Sequence, residues 1–409
     1  RVKRGQDEQE VYGEKNVTYG PFIEAIYKTF GAKFVFLYRD GREVVTSLQN
    51  WHEKKFGTIY RECSNDYSRI SAEAIKTSSQ LFNIDDTSDY SRIRKRSFLL
   101  SPVEEVSLDR FELSSMYWDE MNKIHLDQFS RIPKENVFFL NYSEVTADDI
   151  ARLYNFLGLS PINKEVFQKM LDSKLNSLKD RGSEQGEFPA WVNWNSSQRK
   201  DFEKYATQTM MELKFWNKKE ARWKPSRFGE IWKEKAADVK WFEWMYDSRS
   251  NIHEKFSTWF SDKKINSVLE IGCGVAINYK DLFKDRTYVG VDISQGNINY
   301  CKDTGISEKH EFICSDLLDL ELNEKFDLVY SSGTLDNIYD LDATLDRMGS
   351  LASKYLYITL YRGWHPDIKT HNYRWVETDA CFYNDYSLGQ IRRRLQGLGF
   401  KEVSIKPIS

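Results

Sequence analysis

The sequence predicts an α/β protein built from two domains, and three observations predict it. The chain has 409 residues, 40% of them hydrophobic and 15% aromatic, more than a single core usually absorbs. Short apolar runs alternate with amphipathic stretches, the pattern of parallel strands joined by crossover helices. A charged segment containing Pro225 interrupts the alternation, as an interdomain linker does. The expected boundaries are residues 1–217 for a first domain, 218–227 for the linker and 228–409 for a second domain. Each domain is expected to be a mainly parallel sheet flanked by helices.

In the first domain, AKFVFL at 32–37 and the Tyr38 that follows read as a buried strand delivering the polar turn Arg39-Asp40-Gly41-Arg42, with a helix from Glu43 to about His52. The stretch from Phe56 to about Leu108 is polar and weakly periodic and carries DYSRI twice, too few copies for a repeat architecture. A helix with Trp118, Met121 and Ile124 on one face is expected next, then a strand over 136–141 and a helix closing at Phe156-Leu157-Gly158. An amphipathic helix is expected between Trp191 and Trp216. In the second domain, an aromatic-rich helical stretch at 228–260 precedes strands expected at 267–271, 288–293, 310–314, 326–330, 355–359 and 402–406. Helical stretches separate the first five of these, the signature of a doubly wound parallel sheet.

Composition narrows the classes of function. A formal net charge of -3 gives no electrostatic case for nucleic acid or an anionic membrane. No apolar run approaches the roughly 18–20 residues that cross a bilayer. The cysteines Cys63, Cys273, Cys301, Cys314 and Cys381 form no CxxC pair, so reduced thiols and a cytoplasmic location are expected. No metal-ligand set is assigned. Arg1 is followed by no signal-peptide pattern, and the chain is expected to begin inside a longer reading frame.

The chemistry concentrates at strand ends of the second domain. VLEIGCG at 268–274 is a strand running into a glycine turn, where missing side chains let the backbone approach a ligand. A dinucleotide site would favour G-x-G-x-x-G, but Ile277 stands at the third glycine position and Glu270 two residues before Gly272. The second strand ends in Asp292, placed to accept two ribose hydroxyls, and the third in Asp316, placed to accept an exocyclic amine. Three acidic strand ends with no phosphate-binding lysine among them fit a cationic nucleoside. From these residues the segment 228–409 resembles a class I S-adenosylmethionine-dependent methyltransferase with a Rossmann-like fold. The resemblance implies that Glu270, Gly272, Cys273 and Gly274 cradle the methionine end of the cofactor. It assigns the ribose to Asp292 with Ile293 beside it, and the adenine to Asp316 and Leu317. It also implies that the loop from Ser331 to Thr334 borders cofactor and acceptor. Ala276 departs from the family, which often has a third glycine there. A hydroxyl acceptor needs a base, and the loops after strands four and five offer Asp336, Asn337, His365 and His371, with His365 and Asp336 the leading candidates.

FLYRDGREVVTS at 36–47 places Arg39 at a strand end and Ser47 early in the next helix, groups that can share one phosphate. This resembles the 3'-phosphate-binding segment of sulfotransferases that use 3'-phosphoadenosine 5'-phosphosulfate, members of a P-loop-like fold. Gly13-Glu14-Lys15, FFLNYSEV, FLGL and Lys179-Asp180-Arg181-Gly182 follow the family's order of motifs over residues 11–217. The resemblance implies that Arg39, Ser47 and Arg181 hold the 3'-phosphate, that Tyr142 lies against the adenine and that Lys15 approaches the sulfuryl group. The family's opening phosphosulfate loop has no counterpart before Val11, so the fold is expected to be incomplete here. The joint expectation is O-methylation, with sulfation, of a sugar, polysaccharide or other hydroxylated acceptor. The alternative is a methyltransferase whose first half is a non-catalytic substrate-binding or scaffolding module.

Overall fold

A computed structural model describes residues 13–15, 20–51, 109–161, 163–172, 188–216, 222–235, 238–247, 250–304 and 310–406. Both DYSRI copies, Cys63 and Arg181 lie outside the described residues. The chain divides into two compact units, the first comprising 1–191 and 200–215, the second 192–199 and 216–409.

In the first unit, α1 (Ile23–Phe30) ends at Gly31, whose φ of 59° is the left-handed cap that lets the chain turn into β1 (Phe34–Tyr38). Next come α2 (Gly41–Trp51) and α3 (Arg110–Ser130). α3 opens on a reciprocal cap in which the Asp109 side chain accepts from the Glu112 amide and the Glu112 side chain accepts from the Asp109 amide. β2 (Val137–Asn141) pairs with β1 in parallel, Phe36 opposite Phe139. α4 (Ala147–Leu157), capped by Thr146 and ended by left-handed Gly158, and α5 (Lys164–Asp172) follow. The expected helices and both expected strands are present, with Trp118 and Met121 buried on α3.

α6 (Ser196–Glu212) precedes three helices within the aromatic-rich stretch, α7 (Glu230–Glu234), α8 (Val239–Asp247) and α9 (Ser250–Ser261). The second unit then builds a five-stranded parallel sheet from β3 (Ser267–Ile271), β4 (Thr287–Asp292), β5 (Glu311–Cys314), β6 (Phe326–Ser332) and β7 (Ala352–Thr359). The strand order is β5-β4-β3-β6-β7. The chain therefore winds outward from β3 in one direction, returns, and winds outward in the other. The crevice beyond the carboxyl ends of β3 and β6 is the switch point where such sheets bind ligands. α10 (Gln295–Asp303), α11 (Leu341–Leu351) and α12 (Leu388–Gly397) complete the unit. The core beneath the sheet is aromatic, with Phe256, Phe283, Tyr288 and Tyr330 fully buried.

Three expectations are corrected. Residues 402–406 form no strand among the described residues; only Val403 and Ile405 carry the apolar alternation, too little to fix a register. Ser331 is not in a loop, because the ladder with β7 continues to Ser332 opposite Thr359. Trp223 and Lys224, in the segment expected to be a linker, belong to the second unit: Trp223 is 1% exposed, its ring 5.8 Å from Trp216 and 6.1 Å from Trp194.

Candidate cofactor site

The turn after β3 carries positive φ at Gly272 (73°), Gly274 (54°) and Ala276 (57°). A Cβ at Gly272 would stand 2.0 Å from the Thr334 Oγ1, and one at Gly274 2.7 Å from the Phe242 ring. Both positions therefore require glycine twice over, for conformation and for space. Ala276 holds the same left-handed geometry with a side chain, in the buried core.

Asp292, at the end of β4, ties this turn to the sheet. Its Oδ2 accepts from the Gly274 amide at 3.0 Å, and its Oδ1 from the Ser294 amide at 2.8 Å and Asn297 Nδ2 at 3.3 Å. Burial pushes its carboxyl up while these three donors pull it down, with burial prevailing. Asp316, after β5, accepts from the Leu318 amide on Oδ1 and from the Tyr339 hydroxyl at 3.1 Å on Oδ2. Lys224 Nζ stands 2.7 Å from the same Oδ2. Tyr339 is buried, its ring edge-on to Phe228 at 4.9 Å, and its hydroxyl is driven up by burial and by Asp316.

These groups surround a cavity of about 550 Å³. The turn from Gly272 to Gly274, Asn278, Asp292, Ile293, Asp316 and Leu317 line it. Aromatic rings line it as well, chiefly Trp232 on α7, Trp241 and Phe242 on α8, and Tyr361 and Tyr383. The cavity thus brings together Gly272, Cys273, Gly274, Asp292, Ile293, Asp316 and Leu317, seven of the residues expected at a cofactor.

Glu270, Ser331, Asp336 and His365 are not on the lining. Glu270 is 2% exposed and accepts from Tyr288 OH at 2.6 Å and Asn278 Nδ2 at 2.7 Å. Burial lifts its carboxyl to about 7 against those two donors. Ser331 donates to the Ile271 carbonyl and pins β6 to β3 at the switch point. Asp336 is fully buried and accepts from the Tyr361 and Arg362 amides at 3.1 and 2.8 Å, so it shapes the loop after β7. His365 sits 3.8 Å from Asp385, its side chain 45% exposed. His371 is fully buried, accepting from the Ser387 amide on Nδ1. The histidine on the cavity wall is His253. Asn337 lines the cavity and accepts from Tyr361 OH at 3.1 Å.

In the first unit Arg39 donates to Glu43 at 2.7 Å, lies 5.8 Å from the centre of the Tyr142 ring, and Ser143 Oγ donates to the same Glu43 oxygen. Ser47 and Lys15 are exposed. Sequence reasoning missed Lys224, Tyr339 and Asn278. Asn278 alone left a signal, as an amide in the apolar run just past the glycines.

Residues 269–352 match the family model described as "Methyltransferase domain". The C-terminal region carries a methyltransferase domain. The chain is 30% identical over 112 residues to the malonyl-[acyl-carrier protein] O-methyltransferase of Acetivibrio thermocellus, a match covering 25% of this chain and 40% of that protein. The chain therefore spans less than half the length of this curated relative. Among solved structures, the Synechocystis PCC 6803 magnesium protoporphyrin IX methyltransferase with bound SAM is similar at 17% identity and a TM-score of 0.32, over 44% of this chain and 89% of that one. The N-terminal domain of EvdMO1 with SAH bound is similar at 16% identity and a TM-score of 0.31, over 36% and 70%.

The residues of the methyltransferase domain fit S-adenosylmethionine on their own chemistry. The glycine turn leaves room for backbone approach, two carboxylates suit ribose hydroxyls and an exocyclic amine, and the cavity wall is apolar enough to take adenine. The buried Asn278 Oδ1 has no hydrogen-bond partner, and a bound ammonium would supply one. Among the described residues no helix is long and apolar enough to cross a membrane.

Proposed function

We propose that the protein transfers a methyl group from S-adenosylmethionine to an oxygen of its acceptor, a sugar, polysaccharide or other hydroxylated molecule. The observation that carries this reading is the convergence of the Gly272–Gly274 turn, Asp292 and Asp316 on one cavity at the switch point of the sheet. When bound, the cofactor supplies an electrophilic methyl carbon. The protein's part is alignment and removal of a proton. Asp292 would accept from the ribose, Asp316 Oδ1 and Leu317 would meet the adenine, and the aromatic wall would keep water out. Tyr361 and Tyr383 line the cavity and would meet the acceptor, and Asp336 holds the Tyr361 backbone.

For the base, His253 is better placed than His365, because it reaches the cavity wall. A carboxylate acceptor, which the malonyl-carrier relative's name implies for that protein, would need no base at all. Incubation with labelled S-adenosylmethionine and parallel panels of saccharides, malonyl thioesters and amines tests the assignment. Label in the saccharide panel supports it, label only in malonyl thioesters moves the acceptor to carboxylates, and label only in amines removes O-methylation.

Sulfate transfer from 3'-phosphoadenosine 5'-phosphosulfate is the second reading, favoured by Arg39 at the end of β1 beside the start of α2. A 3'-phosphate there must displace Glu43 from Arg39. Calorimetry with 3'-phosphoadenosine 5'-phosphate on wild type and Arg39→Ala tests it. Binding that the substitution abolishes supports the site, and absence of binding leaves the first unit as a non-catalytic module.

A further inference from the structure

We infer that Asn278, rather than Glu270, is the side chain that receives the α-ammonium of the methionine end of the cofactor, with Glu270 as the positioning residue that aims it. The inference rests on the S-adenosylmethionine reading above and deepens it. Glu270 stands where the family's acidic residue is expected at the methionine end, but it is 2% exposed, absent from the cavity lining, and engaged by Tyr288 and Asn278. Asn278 does line the cavity. Its Nδ2 donates to Glu270 Oε1 at 2.7 Å, so its Oδ1 is the atom left over, buried and with no hydrogen-bond partner. A buried acceptor without a donor is costly, and a ligand that brings the donor recovers that cost.

The backbone adds a second, independent sign. A π-helical turn, Tyr279–Phe283, begins at the residue after Asn278, and such turns are frequent at functional sites. Because the Glu270 Oε1 accepts from Asn278 Nδ2, Glu270 fixes the amide nitrogen toward itself and leaves the oxygen as the unsatisfied acceptor. A glutamine at 270 could keep this arrangement, its carbonyl accepting from Asn278 and its NH2 donating to the Tyr288 hydroxyl, whereas an alanine removes the acceptor and frees the Asn278 amide to turn.

The test is calorimetry on the full chain with two probes, S-adenosylhomocysteine and 5'-methylthioadenosine. The second keeps adenine, ribose and sulfur but lacks the amino-acid end. The expected result is that Asn278→Ala and Glu270→Ala each weaken S-adenosylhomocysteine about tenfold or more, the scale of a hydrogen bond to a charged group, while 5'-methylthioadenosine affinity stays within about twofold. Retained nucleoside binding shows that the variants are folded. Equal losses for both probes would make Asn278 a structural residue and overturn the inference, as would unchanged affinity for S-adenosylhomocysteine. Failure of the wild type to bind S-adenosylhomocysteine would instead remove the methyltransferase reading on which the inference stands.

Discussion

Two single residues carry tension that their substitution should release. Ala276 holds φ at 57° inside the core, a conformation that costs an L-residue roughly 1–2 kcal/mol, part of which glycine's freer unfolded state takes back. Ala276→Gly should therefore raise stability by about 0.5–1 kcal/mol, read as a higher denaturant midpoint at unchanged slope; a lower midpoint would show that the Ala276 methyl packs for more than the strain it causes. Glu270 is lifted to about 7 from an ordinary 4.5, first by burial and with Asp292 adding to it. A carboxyl raised on folding binds more protons in the native state, so its contribution is full below about 4.5 and is lost as pH rises through about 7. Glu270→Gln should flatten that stretch of the stability curve, making the variant more resistant to denaturant than wild type at pH 8 by on the order of 1–3 kcal/mol. Identical pH slopes for the two proteins would contradict it. At this scale the sequence was only partly readable. Asp292 and Asp316 were visible because a strand's end is marked by its apolar run. Lys224 was not, because a lysine near Pro225 looks solvated until the fold brings it to Asp316. Asp336 looked catalytic because nothing local announces that two backbone amides will occupy it.

Among the elements, α8 and the turn after β3 depend on each other. Phe242 on α8 lies where a Cβ on Gly274 would have to go, at 2.7 Å, and Gly274 also needs a φ of 54°. Gly274→Ala should cost about 1–2 kcal/mol from conformation alone, and more from displacing the ring. Adding Phe242→Ala should recover the second part and not the first, measured by chemical denaturation. Complete recovery would show that the backbone there bears no strain. The strands were legible because β-branched and aromatic runs bounded by turn residues have few other ways to fold. Their exact ends were less so, since β6 reaches Ser332 only because β7 offers it a partner through Thr359. Residues 402–406 lack that support.

For the whole molecule, the order β5-β4-β3-β6-β7 explains why acidic residues distant in sequence meet. Parallel crossovers deliver the carboxyl ends of successive strands to one edge, and the reversal at β3 opens the crevice between them. This level was legible from strand spacing together with the acidic strand ends. What no periodicity could show is that 192–199, Trp216 and 222–227 belong with the methyltransferase domain, because aromatic contacts such as Trp194 with Trp223 join residues far apart in the chain. A ligand that binds only the folded domain stabilises it by mass action, about 2.7 kcal/mol at a hundred times its Kd. The central claim is that this crevice is an S-adenosylmethionine site anchored by Asp292. Calorimetry of S-adenosylhomocysteine with wild type and Asp292→Ala tests it most directly: one site in wild type, weakened about a hundredfold or more in the variant, is the predicted result, and absent binding, or equal affinity in both proteins, would contradict it.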